Sequence, residues 1–333
     1  MVEGVTRGKT LPSEVLQQIV SKTDGVPLFV EELTKTVVES GLLREEGDRY
    51  VGAHGGAPIL LLAIPATLQD SLMARLDRLA PVKELAQLGA TLGREFSYEL
   101  LFAVAHLDEG SLQQGLRQLI EVELLYQRGV PPHATYFFKH VLIQDTAYHS
   151  LLKSKRQHYH HRIARVLEEQ FPDTKETQPE LVAHHYTEAG LVGQAIPYWQ
   201  RAGQRALQRS APAEALSHLT KGLEVLTTLP DTPERSQQEL ILQTTLGATH
   251  MALKGYASPE VDKAYTRARQ LCQQEGGNPQ LFPTLRGLWV FYLLRAELQT
   301  THELGEQLLT LAQSAQGGII HSIRFAAVMP ALG

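Results

Sequence analysis

The sequence predicts a mainly α protein: a short helical segment, a winged-helix domain, and then an α-solenoid of tetratricopeptide-like helix pairs. Three observations predict it. Apolar residues recur at helical spacing over most of the 333 residues. After residue 65, short helical patterns lead into two β-prone stretches around a Gly-Pro-Pro turn, the order of a winged helix. Beyond residue 180 the helical patterns come in pairs. There Ala195, Trp199 and Ala202 keep a small-x3-aromatic-x2-small spacing, which Ala215, Leu219 and Gly222 repeat with a weaker central residue.

The elements follow in order. Leu11, Val15, Leu16, Ile19 and Val20 fall on one helical face, with Pro12 in the first turn and Gly25 just past the end. A second helix opens at Pro27 and runs to about Ser40, with Leu28, Val30, Leu33, Val37 and Val38 as its apolar positions and Gly41 as its stop. Glu31 and Glu32 are assigned to its first turn, where negative charge suits the helix dipole. Residues 44–65 are polar and glycine-rich, a loop that admits a short strand. Helices are predicted at Thr67–Leu79, Val82–Leu92, Tyr98–Ala105 and Ser111–Val122, and a hairpin from Leu124–Gln127 and Thr135–Phe138. Helix resumes over Gln144–Ser154 and His158–Gln170, and Pro172 and Pro179 bracket a polar linker.

Seven helices are then predicted, at 180–190, 193–209, 212–228, 233–253, 258–274, 279–297 and 301–315. Their period is irregular, so they read as a degenerate array whose stacked pairs leave a groove. The tail GGIIHSIRFAAVMPALG loses the polar face of a capping helix, so the chain is expected to be a fragment or a truncated frame. The resulting divisions are 1–64 (helix pair and loop), 65–172 (winged-helix-like domain with following helices), 173–316 (array) and 317–333 (atypical tail).

Composition narrows the function. The length suits two or three domains at roughly 100–200 residues each. A 43% hydrophobic content supports real cores. The 31 basic against 36 acidic residues leave a net charge of -5, which disfavours a nucleic-acid binder. The one cysteine, Cys272, has no partner for a disulfide or a cysteine metal site, which fits a reducing cytosol. The longest aliphatic run, Ile59 to Ile64, falls far short of the roughly 20 residues that span a bilayer. MVEGVTRGKT has no signal-peptide core. A cytoplasmic protein without a membrane partner is expected.

Several motifs bear on chemistry. GVTRGKT, from Gly4 to Thr10, has three residues between its glycines where a phosphate loop needs four, and a frayed N-terminus leading into a helix accounts for it better. In GVPLFVEEL, Gly25 permits a positive φ, and Pro27 opens a helix while showing a flat apolar ring; on the residues alone it is first a helix–turn–helix corner. In FKHVLIQDTAYHSLL, His140 stands where the hairpin ends and a helix begins, placed either to donate to a phosphate or simply to pack. Asp145 is too isolated to be catalytic, and Val141, Tyr148, Leu151 and Leu152 read as the buried face.

His158 and His161 are one turn apart, but no third ligand stands nearby and a solvated helix face is favoured. His184 and His185, being adjacent, fall on different faces of their helix, and His302-Glu303 lacks the second histidine of a zinc-protease motif. No G-x-S-x-G elbow is present. The third winged-helix helix carries Arg117 as its one cation, among Asp108, Glu109, Glu121 and Glu123, which opposes contact with DNA phosphates.

GVPLFVEELTKTVVESGLL, IPATLQDSLMARLDRL, AQLGATLGREFSYELL and FKHVLIQDTAYHSLL, in this order, resemble the second half of bacterial STAND-type signalling ATPases. Many of these carry an N-terminal class III adenylate/guanylate cyclase domain and a C-terminal tetratricopeptide array. The resemblance covers about Leu11 to Gln316. It implies that residues 1–64 are the remnant of the ATPase's helical lid. There Gly25-Val26-Pro27 matches a G-x-P motif whose proline packs on the adenine of ATP or ADP. It implies too that His140 lies near the β-phosphate.

The phosphate-loop and cyclase sequences of such proteins lie upstream of the stretch that matches. This chain is therefore expected to be non-catalytic, with no cofactor or metal of its own, while the intact parent would bind ATP or ADP with Mg. Its expected partners are the ATPase and cyclase domains and a protein or small ligand on the array. Two alternatives stand beside that regulatory role: a free-standing interaction protein and, against its acidic third helix, a winged-helix transcriptional regulator.

Overall fold

The computed structural model describes residues 2–52, 67–275 and 279–314. Among them are 17 helices and five short strands, so the protein is mainly α. The Ile59–Ile64 run and the 317–333 tail lie outside the described residues. The chain forms two compact units that divide between Tyr159 and His160, inside one helix.

The first unit opens with a helical turn, α1 (Val2–Val5), then α2 (Ser13–Thr23) and α3 (Pro27–Glu39). Asp24 and Gly25 take left-handed backbone at φ 47° and 74°, and Pro27 then starts α3 with its φ already helical. Val15, Ile19, Phe29, Leu33, Val37 and Leu43 form the core. The apolar stripe of α2 is narrower than predicted: Leu16 and Val20 are exposed, because α3 covers only the Val15–Ile19 edge.

The predicted loop is a two-stranded hairpin, β1 (Leu43–Glu46) and β2 (Arg49–Gly52), turned at Gly47 with φ 58°. The N-terminal stretch is pinned rather than frayed. Thr10 N–H donates to the Asp48 carbonyl at 3.0 Å, and Tyr50 N–H donates back to Thr10 at 2.8 Å.

Next come α4 (Leu68–Arg78), α5 (Ala80–Leu92), β3 (Glu95–Ser97), α6 (Tyr98–Ala105), α7 (Glu109–Glu121), β4 (Leu125–Arg128) and β5 (Thr135–Phe138). The strands form an antiparallel sheet in the order β3-β5-β4, the winged-helix arrangement. Three residues are too few for β3 to show alternation, so its sequence carries no strand signal. In the structure Phe96 stacks on Tyr136, with ring centroids 5.9 Å apart.

Helix α8 (Val141–His149) begins three residues before the predicted start, with His140 as its N-cap. Its buried residues are Ile143, Thr146 and Ala147. Val141 and Leu152 are exposed, not buried: Val141 lies in the first turn and Leu152 in the break before α9 (Lys153–Gln170).

The second unit is the array. The predicted linker after Pro172 is a helix, α10 (Pro172–Thr177), nucleated by a proline at its first position. Then follow α11 (Pro179–Glu188), α12 (Val192–Gln208), α13 (Pro212–Leu226), α14 (Pro233–Lys254), α15 (Pro259–Glu275), α16 (Leu281–Leu294) and α17 (Leu298–Ser314), each packed on the next. His160 and His185 are buried with their Nδ1 atoms 2.8 Å apart, so one ring donates to the other, and burial holds His185 well below its ordinary pKa and neutral. Glu168 accepts from Tyr186 at 2.5 Å and Tyr198 at 2.6 Å, tying α9 to α11 and α12. No set of three metal-binding side chains occurs among the described residues.

Bare glycines admit large rings between these helices. A Cβ built on Gly247 or Gly287 would lie within 2.5 Å or 2.4 Å of the Tyr265 ring, which is held from both sides. Gly193, by contrast, faces open space in α12. Gly247→Ala should cost ~1–3 kcal/mol. Gly193→Ala should be neutral or stabilise by up to ~1 kcal/mol. Urea unfolding of both variants checks the contrast.

Candidate functional site

The densest charge chemistry of the first unit gathers where α3, α4, the end of α7 and the segment after β5 meet. Helical spacing puts Glu31 and Lys35 one turn apart, with Nζ to Oε1 at 2.8 Å. Lys139, the residue after β5, reaches the same Glu31 oxygen at 2.9 Å and the Glu123 carboxylate at 2.8 Å. Lys35 also donates to Glu123. Two ammonium groups thus share two carboxylates, and the four groups come from three separate segments.

Beneath this layer lies a buried ion pair. Arg75 of α4 donates through Nη1 to Glu32, whose side chain is 0% exposed against 2% for Arg75. Arg75 Nη2 donates to the Val122 carbonyl at 2.6 Å, and its Nε lies 3.4 Å from Glu39. Thr36 and Ser71 hydroxyls, 2.6 Å apart, close the α3–α4 contact. A carboxylate and a guanidinium this deep are costly to bury, and only their mutual contact and these added hydrogen bonds compensate.

Glu31 and Glu32 therefore do not serve the helix dipole as predicted. They lie past the first turn of α3 and turn sideways to their cations.

Glu123 has left-handed backbone, φ 57°, at the end of α7, where glycine is the unstrained choice. Leu124 N–H caps α7 by donating to the Leu119 carbonyl at 2.9 Å. The strain of ~1–2 kcal/mol is tolerated because the turn aims the carboxylate at Lys35 and Lys139.

Hydrogen bonds from Lys35 and then Lys139 hold the Glu31 carboxyl at about 2, and those from Lys139 and then Lys35 hold Glu123 at about 2. Burial works against the charge on Lys139, but its bonds to Glu123 and Glu31 outweigh that and raise its pKa. For both carboxyls the folded value lies below the ordinary 4.5. Their contribution to stability is thus complete above pH 4.5 and is lost as the pH falls toward 2.

A cavity of about 480 Å³ opens on this cluster. Arg7, Lys35, Arg75 and Lys139 line it against Glu31, Glu39, Glu121 and Glu123, so its formal charges cancel.

The sequence-predicted residues flank the cluster. Gly25 and Pro27 are exposed at the start of α3, one turn before Glu31. His140 is half-buried next to Lys139, and its side chain does not cap α8. The Glu31–Lys139 pair joins the elements that carry these residues, while no hydrogen bond or ion pair joins Gly25, Pro27 and His140 to one another among the described residues. Lys9 of GVTRGKT pairs with Glu45 of β1. Sequence reasoning missed the roles of Glu32, Lys35, Arg75, Glu123 and Lys139; the one local sign was the Glu31–Lys35 spacing on α3.

No protein-family model matches the chain, and no solved structure does. An uncharacterized protein of Rhizobium meliloti (strain 1021) is 27% identical over 269 residues, which make up 80% of this chain and 25% of that protein. The chain spans about a quarter of the length of this relative.

Removing one partner of the buried pair strands a charge. Glu32→Ala and Arg75→Ala should each destabilise the protein by ~3–5 kcal/mol, and the joint Glu32→Leu, Arg75→Met replacement should cost much less than their sum. Urea unfolding of the three variants checks this.

Proposed function

We propose that the chain is the regulatory portion of a STAND-type signalling ATPase: α2–α3 as its helical lid, the winged helix as the domain that closes on it, and the array as its ligand-binding part. The observation that carries the proposal is the shared ion cluster between α3 and the winged-helix segments at Glu123 and Lys139. It gives the lid a specific, breakable hold on the winged helix. The similarity to a protein four times the matched length is compatible with a multidomain parent.

The residues present fit one end of a nucleotide. Exposed Val26 and Pro27 offer an apolar surface suited to a purine face, and His140 is a candidate phosphate donor. Lys9, Lys35, Arg75 and Lys139 are already paired with carboxylates, so the triphosphate and its Mg would be gripped by the parent's phosphate-loop residues. When bound, the nucleotide supplies the energy and the state to be sensed. This chain's part is to hold the purine, keep α3 clamped and release it. A ligand on the array would bias closed against open by no more than its differential affinity for the two states. A cyclase domain in the parent would be the output, and this chain by itself is non-catalytic.

Titration calorimetry of the chain with ATP and ADP, with and without Mg, tests the proposal. Binding weaker than micromolar and no phosphate release are expected. Micromolar or tighter binding of ATP, or turnover, would contradict it.

A further inference from the structure

We propose that the groove between α11 and α13 binds an extended peptide with two cationic side chains four residues apart and an apolar one between them, Lys/Arg-x-Φ-x-Lys/Arg. The inference rests on the array being the ligand-binding part and adds what it binds.

The groove measures about 720 Å³. Helix α12 packs on both walls and supplies Trp199 to the lining. That indole is fixed before any ligand arrives: its Nε1 donates to Thr187 Oγ1 at 3.0 Å, and its ring stacks on His218 with centroids 5.8 Å apart. A preformed aromatic surface costs little ordering on binding. Trp199 is only 8% exposed, so it offers the groove a small apolar patch suited to one apolar side chain. His218, whose Nε2 is shielded from solvent 3.5 Å from Glu214, backs the indole and holds it in place.

Charge selects the occupant. On α13, Glu224 is taken up by Lys221 at 3.2 Å. On α11, Glu180 and Glu188 line the groove without an ion pair to any described residue. The lining thus carries a surplus of negative charge, and an acidic or phosphorylated peptide would be repelled.

Geometry sets the spacing. Eight residues of helix separate the two carboxylates by about 12 Å. In an extended chain, residues four apart lie about 13 Å from each other and point to the same side, as does the residue between them. His184 stands midway between the glutamates on α11, where that central side chain would lie. A small monoamine would reach one carboxylate only.

The test is selection of a random twelve-residue peptide library on the full chain. Binding of the enriched synthetic peptides is then read from Trp199 emission in a Trp289→Phe variant, which leaves one indole of the two in the sequence. The expected result is a Lys/Arg-x-Φ-x-Lys/Arg consensus whose affinity falls about tenfold or more in the Glu180→Lys, Glu188→Lys double variant and falls with added salt. Lys221→Ala, which frees Glu224, should tighten binding and gives a second readout of opposite sign. An acidic or neutral consensus, or affinity unmoved by both variants, would overturn the inference and leave peptide binding by the array intact. A library with no enriched peptide would overturn both.

Discussion

The arrangement of the first unit depends on one constraint: the carboxylate of Glu32 and the guanidinium of Arg75 are buried together and must stay together. Either alone would be an uncompensated charge in an apolar core. The pair fixes α3 against α4, and the Arg75 hydrogen bond to the Val122 carbonyl extends that hold to the end of α7. The outer cluster of Glu31, Lys35, Glu123 and Lys139 is built on this foundation. The inner pair gives specificity of docking, and the outer, wetter cluster gives an adjustable hold. A surface of this kind can let go without unfolding the helices that carry it, since surface pairs are individually weak and screened by salt.

The array works on other terms. Its helices meet through shape: Tyr265 fits where Gly247 and Gly287 lack side chains, and a Cβ on Gly203 would lie 2.6 Å from Leu219. Polar ties between its helices add to this, among them the Glu168–tyrosine bonds, the His160–His185 pair and the Arg267–Glu239 ion pair. Such packing leaves one side of α11 and α13 uncovered with Trp199 between them, so a groove is the by-product of stacking pairs whose inner faces are not filled.

Much of the fold was legible in the sequence, and the reason is local. Helical period, an N-terminal proline and a terminal glycine are written within a few residues of each other, so α2, α3, α6 and α12 appear within about two residues of their predicted bounds. The short elements escaped: β3 has three residues and α10 six, too few for a period to register. The apolar faces of α2 and α8 were read too broadly because an exposed Leu16 or Val141 looks the same in sequence as a buried one. The charge cluster was almost invisible, since Glu32 and Arg75 are 43 residues apart and Glu31 and Lys139 are 108 apart. Gly25, Pro27 and His140 were legible as turn and cap positions, and their neighbours Glu31 and Lys139 turned out to carry the contact between those elements.

The most direct measurement of the clamp is the titration of the Glu31 and Glu123 carboxyls, followed by carbon NMR with Glu31→Gln and Glu123→Gln for assignment. If Lys35 and Lys139 hold both groups as the geometry requires, each remains ionised at pH 4.5 and protonates only toward about 2. Midpoints for both carboxyls at the ordinary value of 4.5 would show that no such clamp exists.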